Sequence, residues 1–186
     1  MSSLVVTTLK FTEGELHMSK TKIIKMTGFV TYAKIFNENL DDNMDFHEKT
    51  EGQFNMNFYP ETEKDFDTFF GAGAPQSTMG HDTIKMGDTS LGMGGKYIKL
   101  KRPNKHPSGI EDFGGAPLVF DFTGGESMKK WSFTEDGELG NGTKVAVKVS
   151  IYGEGPRASI RLERVAILDH VAYDGGPAGD DGVEKF

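Results

Sequence analysis

Four short stretches of this chain interleave lysine with aromatic rings. Tyr97, Lys99 and Lys101 share one parity, and Arg102, Lys105 and His106 follow directly. Lys144, Lys148 and Tyr152 share another, Tyr32, Lys34 and Phe36 a third, and Lys129-Lys130 precede the only tryptophan, Trp131. Rings stack on unpaired bases and ammonium groups follow phosphates, a sequence-tolerant chemistry in which each stacked base contributes about 1–3 kcal/mol. On any single strand, outward lysines are ordinary edge protection. Rings interleaved with lysine on three strands ask for more, because an exposed aromatic has to be accounted for. Trp131 reads as core rather than as a platform.

Other chemistries find little support. Asp41-Asp-Asn-Met-Asp45 resembles a calcium loop, but Phe46 stands where the turn glycine belongs and Gly52 where the bidentate glutamate belongs. His47-Glu-Lys-Thr-Glu51 lacks a second histidine, and Gly94-Gly95-Lys96 lacks the Ser/Thr of a phosphate loop. With no cysteine and five scattered histidines, neither a zinc ligand set nor a thiol nucleophile can be assembled. The expectation is a protein that is not an enzyme and carries no cofactor or metal.

The elements that must position these groups are mostly strands. Residues 22–36 are rich in β-branched and aromatic types. Their parity reads two ways: Val30, Tyr32, Lys34 and Phe36 outward, or Val30 and Phe36 in the core with Phe29 and Ile35 outside. At 52–59, Phe54, Met56 and Phe58 alternate with Gln53, Asn55 and Asn57, the signature of a half-buried strand. Pro60 is expected to open a helix through Phe70, with Phe66, Phe69 and Phe70 as its apolar stripe. Residues 71–95 read as a long glycine- and methionine-rich loop.

Strand signals return at 95–102, 118–122, 143–152 and 158–168. A hairpin turn is expected at Gly153-Glu-Gly155, and a parity flip near Glu163–Arg164 indicates a bulge. The fold class expected is all-β with minor α: an OB-type Greek-key barrel with one inserted helix and long loops. A β-sandwich is the alternative.

The net charge of −7 conceals a gradient. Residues 1–94 hold 8 basic and 14 acidic side chains, residues 95–170 hold 12 and 10, and residues 171–186 hold 1 and 4. A locally basic segment before an acidic end suits a polyanion binder with an acidic tail. The division expected is a nucleic-acid-binding domain over 1–173 and a flexible tail over 174–186. That tail carries Asp180, Asp181, Glu184 and a terminal Phe186; thirteen extended residues reach about 43 Å. A start without a basic-then-apolar pattern reads as no signal peptide.

These residues resemble a family. Gly140-Asn-Gly-Thr-Lys-Val-Ala-Val-Lys-Val-Ser-Ile-Tyr152, then Arg157-Ala-Ser-Ile-Arg-Leu-Glu-Arg-Val-Ala-Ile-Leu168, then a glycine-rich linker to Phe186, are similar to the single-stranded DNA-binding proteins of T-seven-like podophage replisomes. Gly52-Gln-Phe-Asn-Met-Asn-Phe-Tyr-Pro60 is similar to that family's strand before its helix. The resemblance implies a protein that coats single-stranded DNA during replication and recombination. Tyr32, Phe36, Tyr97 and Tyr152 would stack, while Lys34, Lys99, Lys101, Arg102, Lys105, Lys144 and Lys148 would meet phosphates. It also implies a tail that recruits a replicative DNA polymerase and helicase–primase, the cytoplasm of an infected bacterial host as location, no membrane partner, and room for a homodimer. A β-rich viral structural or assembly protein, or a metal-dependent enzyme with an unrecognised acidic site, are the competing classes.

Overall fold

The computed structural model describes residues 21–81, 85–86, 89–90, 95–125 and 129–173. The expected tail, with Asp180, Asp181, Glu184 and Phe186, lies outside the described residues.

The chain runs β1 (Lys22–Lys34), α1 (Met44–His47), β2 (Gln53–Pro60), α2 (Glu63–Gly71), β3 (Met79–His81), β4 (Lys85–Met86), β5 (Thr89–Ser90), β6 (Lys96–Pro103), β7 (Leu118–Asp121), β8 (Lys129–Lys130), α3 (Phe133–Asp136), β9 (Lys144–Tyr152) and β10 (Ser159–Asp169). The principal sheet has the order β3-β6-β2-β1-β9-β10-β7-β8, and β4 pairs with β5 separately. Five strands, β6-β2-β1-β9-β10, curl into the expected OB-type barrel. No helix among the described residues is long and apolar enough to cross a membrane.

β1 makes the barrel possible by serving two partners. Its first half pairs with β9 from Lys22↔Ile151 to Phe29↔Lys144, and its second half pairs with β2 from Gly28↔Pro60 onward. The strands approach closely at Gly28, where an added Cβ would stand 2.1 Å from the Tyr59 carbonyl oxygen, so only glycine fits.

The core follows from period-2 patterning. Phe54, Met56 and Phe58 of β2, Ile98 and Leu100 of β6, Val145, Val147, Val149 and Ile151 of β9, and Ile160, Leu162, Val165 and Ile167 of β10 all point inward and are buried. The register shift between Leu162 and Arg164 is the bulge that parity anticipates, and it keeps both halves of β10 facing the core.

α2 starts later than expected. Pro60 closes β2, and Thr62 is the N-cap, its Oγ1 accepting from the Asp65 N–H at 3.1 Å. Phe66 and Phe69 are buried, with Phe70 packed alongside; full burial of one such side chain contributes about 1.5–3 kcal/mol. The segment after α2 is not a plain loop: β3 adds to the edge of β6, and β4 and β5 pair through Lys85↔Ser90.

The barrel closes without a strand ladder between β6 and β10. Arg102 bridges the gap. Its Nε donates to Gly115 O at 2.7 Å, Nη1 to Glu163 Oε1 at 2.9 Å and Leu162 O at 3.4 Å, and Nη2 to Gly114 O at 3.0 Å and Asp112 O at 3.1 Å. A guanidinium has five N–H donors, so none is left over.

Candidate nucleic-acid interface

Cross-strand register assembles one polar face on β1, β2 and β6, with Thr31 and Tyr59 buried within it. Lys34 lies opposite Asn55, which lies opposite Lys101; Thr31 lies opposite Asn57, which lies opposite Lys99. Phe29 and Tyr59 follow in the next row, and the Tyr59 and Tyr97 ring centroids are 5.4 Å apart. Lys34 and Lys99 are exposed, and Lys101 and Tyr97 are half-buried. Tyr97 lies flat over Gly80 of β3, whose missing Cβ leaves the room: an added one would meet the ring at 2.2 Å.

Tyr32 stands at a bulge between the two rows. Between Thr31 and Lys34, β1 spends three steps against two on β2, and Tyr32 takes φ +52°, the left-handed region that costs a bulky side chain about 1–3 kcal/mol. Asn141 holds the kink, its Oδ1 accepting from the Tyr32 N–H at 2.8 Å. Tyr32 is 46% exposed. The bulge also resolves the two readings of this strand: Val30, Ile35 and Phe36 are all buried.

Two expected contacts are therefore corrected. Phe36 is not a platform on this face. It packs edge-to-face on Phe133 at 5.3 Å and lines a cleft of about 590 Å³ with Trp131. Arg102 is not a phosphate ligand, because its parity points inward and barrel closure uses every donor. Trp131 is buried as expected, with Nε1 donating to Gly137 O at 2.8 Å.

Two loops border the face at its Lys34–Asn55–Lys101 end. In the loop holding α1, Asp41 Oδ2 accepts from Asn55 Nδ2 at 3.4 Å and lies 3.3 Å from His47 Nε2. Partial burial opposes the Asp41 charge. The Asn43 N–H, the Lys34 ammonium, Asn55 and His47 outweigh it and hold the carboxyl below its ordinary range. The loop after β6 docks beside it through Lys105 N–H to Thr50 O at 2.9 Å, and the Lys105 ammonium pairs with Glu51 at 2.8 Å. On the Phe29 side, Lys144 pairs with Glu61 at 3.0 Å and stands 5.9 Å from the Phe29 ring centroid. Exposed pairs of this kind contribute at most about 1 kcal/mol, so exchanging a carboxylate for a phosphate costs little.

Lys148 and Tyr152 do not join this group. Lys148 lies opposite Lys25, six positions along β1 from Thr31 and so about 20 Å away on a curving strand. Tyr152 is half-buried under Arg161, whose guanidinium lies between the Tyr152 and Phe113 rings at 5.3 and 4.5 Å. Sequence reasoning also passed over members of the site. Asn55 and Asn57 were visible as the polar parity of β2 but not as linkers between lysine rows. Phe46 on α1 is 78% exposed; its signal was a phenylalanine stranded in an acidic, polar break.

No protein-family model and no curated protein matches this sequence. Solved structures do. A C-terminally truncated single-stranded DNA-binding protein from bacteriophage Enc34 superposes with a TM-score of 0.52 at 13% identity, covering 82% of this chain and 88% of that one. The Enc34 protein in complex with ssDNA gives 0.50 at 12% identity, over 82% and 89%. The gp2.5 single-stranded DNA-binding protein of bacteriophage T7 gives 0.49 at 18% identity, over 90% and 96%. The fold of this chain is that of the Enc34 single-stranded DNA-binding protein.

Proposed function

We propose that this chain binds single-stranded DNA, without catalysing a reaction, along the outer face of β1, β2 and β6. The carrying observation is the pair of cross-strand rows Lys34–Asn55–Lys101 and Thr31–Asn57–Lys99 beside the exposed Tyr32 ring. Tyr32 and Tyr97 stack on bases; Lys34, Lys99, Lys101 and Lys105 neutralise phosphates, with Lys144 at the flank. Rings need unpaired bases, so single strands win over duplex. The shared fold with a phage protein solved on ssDNA supports this reading.

The tail completes the proposal. Asp180, Asp181, Glu184 and Phe186 recruit the replicative polymerase and helicase–primase in the cytoplasm of an infected bacterium, and compete with DNA for the lysine face when it is empty.

The test is fluorescence anisotropy of a labelled oligo-dT strand against its duplex across a salt series. Single strands should bind more tightly, with a salt slope near −3 for four neutralised phosphates; a flat response removes the lysine assignments. Deleting residues 174–186 should tighten binding at low salt, and unchanged affinity removes the competition.

A further inference from the structure

Register builds a second cationic row on another wall of the barrel. Lys25 of β1 lies opposite Lys148 of β9, Lys148 opposite Arg164 of β10, and Arg164 opposite Leu118 of β7. Like charges placed directly opposite on neighbouring strands are destabilising. Here three occupy adjacent strands, and none makes an ion pair among the described residues. The nearby carboxylate, Glu163, is committed to Arg102, Arg161 and Ser150. Arg164 instead lies 5.4 Å from the Phe120 ring centroid, and exposed Ile23 and Leu118 flank the row.

The neighbouring row is Thr27–Ala146–Ala166, three small side chains that end against Phe120 of β7. Beyond it stand Phe29, Lys144 and Asp169. A low floor thus runs between two cation-bearing rows about 13 Å apart, four residues along β9. This trough is open rather than enclosed; a cavity of about 190 Å³ stands against the row. It leads toward the first face, because Lys25, Thr27, Phe29 and Lys34 follow one another along β1, with Thr31 buried between Phe29 and Lys34 where its hydroxyl donates to the Tyr59 hydroxyl at 3.4 Å. An open, linear track whose Lys25–Lys148–Arg164 row has no ion pair among the described residues suits a linear polyanion better than a small anion.

We infer that the row Lys25–Lys148–Arg164 is a second phosphate-binding segment, which a long single strand reaches by continuing along β1 from the first face. The inference rests on the single-stranded DNA reading above. Short strands fill the first face alone; long strands engage both.

The experiment compares the full chain with the K25Q/K148Q/R164Q variant on oligo-dT of about six and about thirty nucleotides, lengths bracketing the 4–16 nucleotides typical of one OB fold. Affinity for the short strand should stay within about twofold. Affinity for the long strand should fall about tenfold or more at low salt, and its salt slope should shrink by about 2, the value for three lost phosphate contacts. Relief of like-charge crowding should leave thermal stability unchanged or higher, and a K25R/K148R variant should retain long-strand binding. Equal effects on both lengths, or none on either, overturn the inference while leaving the first face intact. So does a changed self-association by light scattering at unaltered long-strand affinity, which would make the row a protein contact. Failure of the parent chain to bind either strand overturns both readings.

Discussion

At the scale of single residues, neighbours in sequence separate into opposite roles. Lys101 and Arg102 are adjacent cations, yet Lys101 lies on the outer face opposite Asn55 while Arg102 is buried with five donors occupied. Lys101→Ala should weaken single-stranded DNA binding about threefold to tenfold and reduce the salt slope by about 0.7 while leaving stability within about 0.5 kcal/mol. Arg102→Lys keeps the charge but strands at least two acceptors, because an ammonium has three donors and no fork. It should lose about 3 kcal/mol by chemical denaturation, with the folded fraction binding DNA normally. An Arg102→Lys protein that is stable but fails to bind would restore Arg102 as a ligand. Both residues looked alike in the sequence, as members of one basic run. Only strand parity told them apart.

At the scale of elements, the bulge in β1 is the informative feature. Pattern alone left residues 22–36 with two parities, since apolar residues occur on both. One extra residue at Tyr32 satisfies both halves: Val30 stays inside before the bulge and Ile35 after it. The cost is a tyrosine at φ +52°. Tyr32→Gly should therefore leave stability unchanged or raise it by up to about 1 kcal/mol, while the lost ring weakens binding by about 1–3 kcal/mol. Urea denaturation and oligo-dT titration of one preparation measure the two effects, and a joint loss would deny that strain is held here for the ring. Other elements were legible because their pattern is unambiguous. β9 alternates cleanly, β2 alternates Phe/Met with Gln/Asn, and the bulge in β10 shows as a parity flip. The hairpin between β9 and β10 was less so: a single helical turn, Gly155–Arg157, lengthens it.

At the scale of the molecule, closure is electrostatic where a ladder is missing. Glu163 accepts from Arg102 at 2.9 Å, Arg161 at 2.7 Å and Ser150 at 2.7 Å. Burial works against its charge, but Ser150, Arg161 and Arg102 prevail and hold its carboxyl below the ordinary 4.5. A depressed carboxylate contributes stability that is present above its unfolded value and lost as pH falls through the folded one. Stability should accordingly hold from neutral pH down to about 4.5 and decline below it. Glu163→Gln should be less stable at pH 7 by about 3 kcal/mol, since Arg102 is left buried without its counter-charge. It should also lose less on further acidification than the parent does. Thermal melts at pH 7, 5 and 3 measure the difference, and parallel pH profiles would show that Glu163 does not couple closure to pH.

The sequence by itself determined the longer strands, the barrel class and the types of side chain available for binding, because period-2 patterning and turn residues are local properties of the chain; the short strands β3, β4, β5 and β8 carry no such pattern. It also carried enough of 140–168 to resemble phage single-stranded DNA-binding proteins. Which lysines share a wall was decided by tertiary structure. Lys99, Lys101 and Lys34 meet because β6, β2 and β1 are adjacent, and Lys148 departs because β1 pairs with β9 through its other half. Strand order and register set those distances, and they follow from how a long bent strand closes a barrel, which no local spacing of residues encodes.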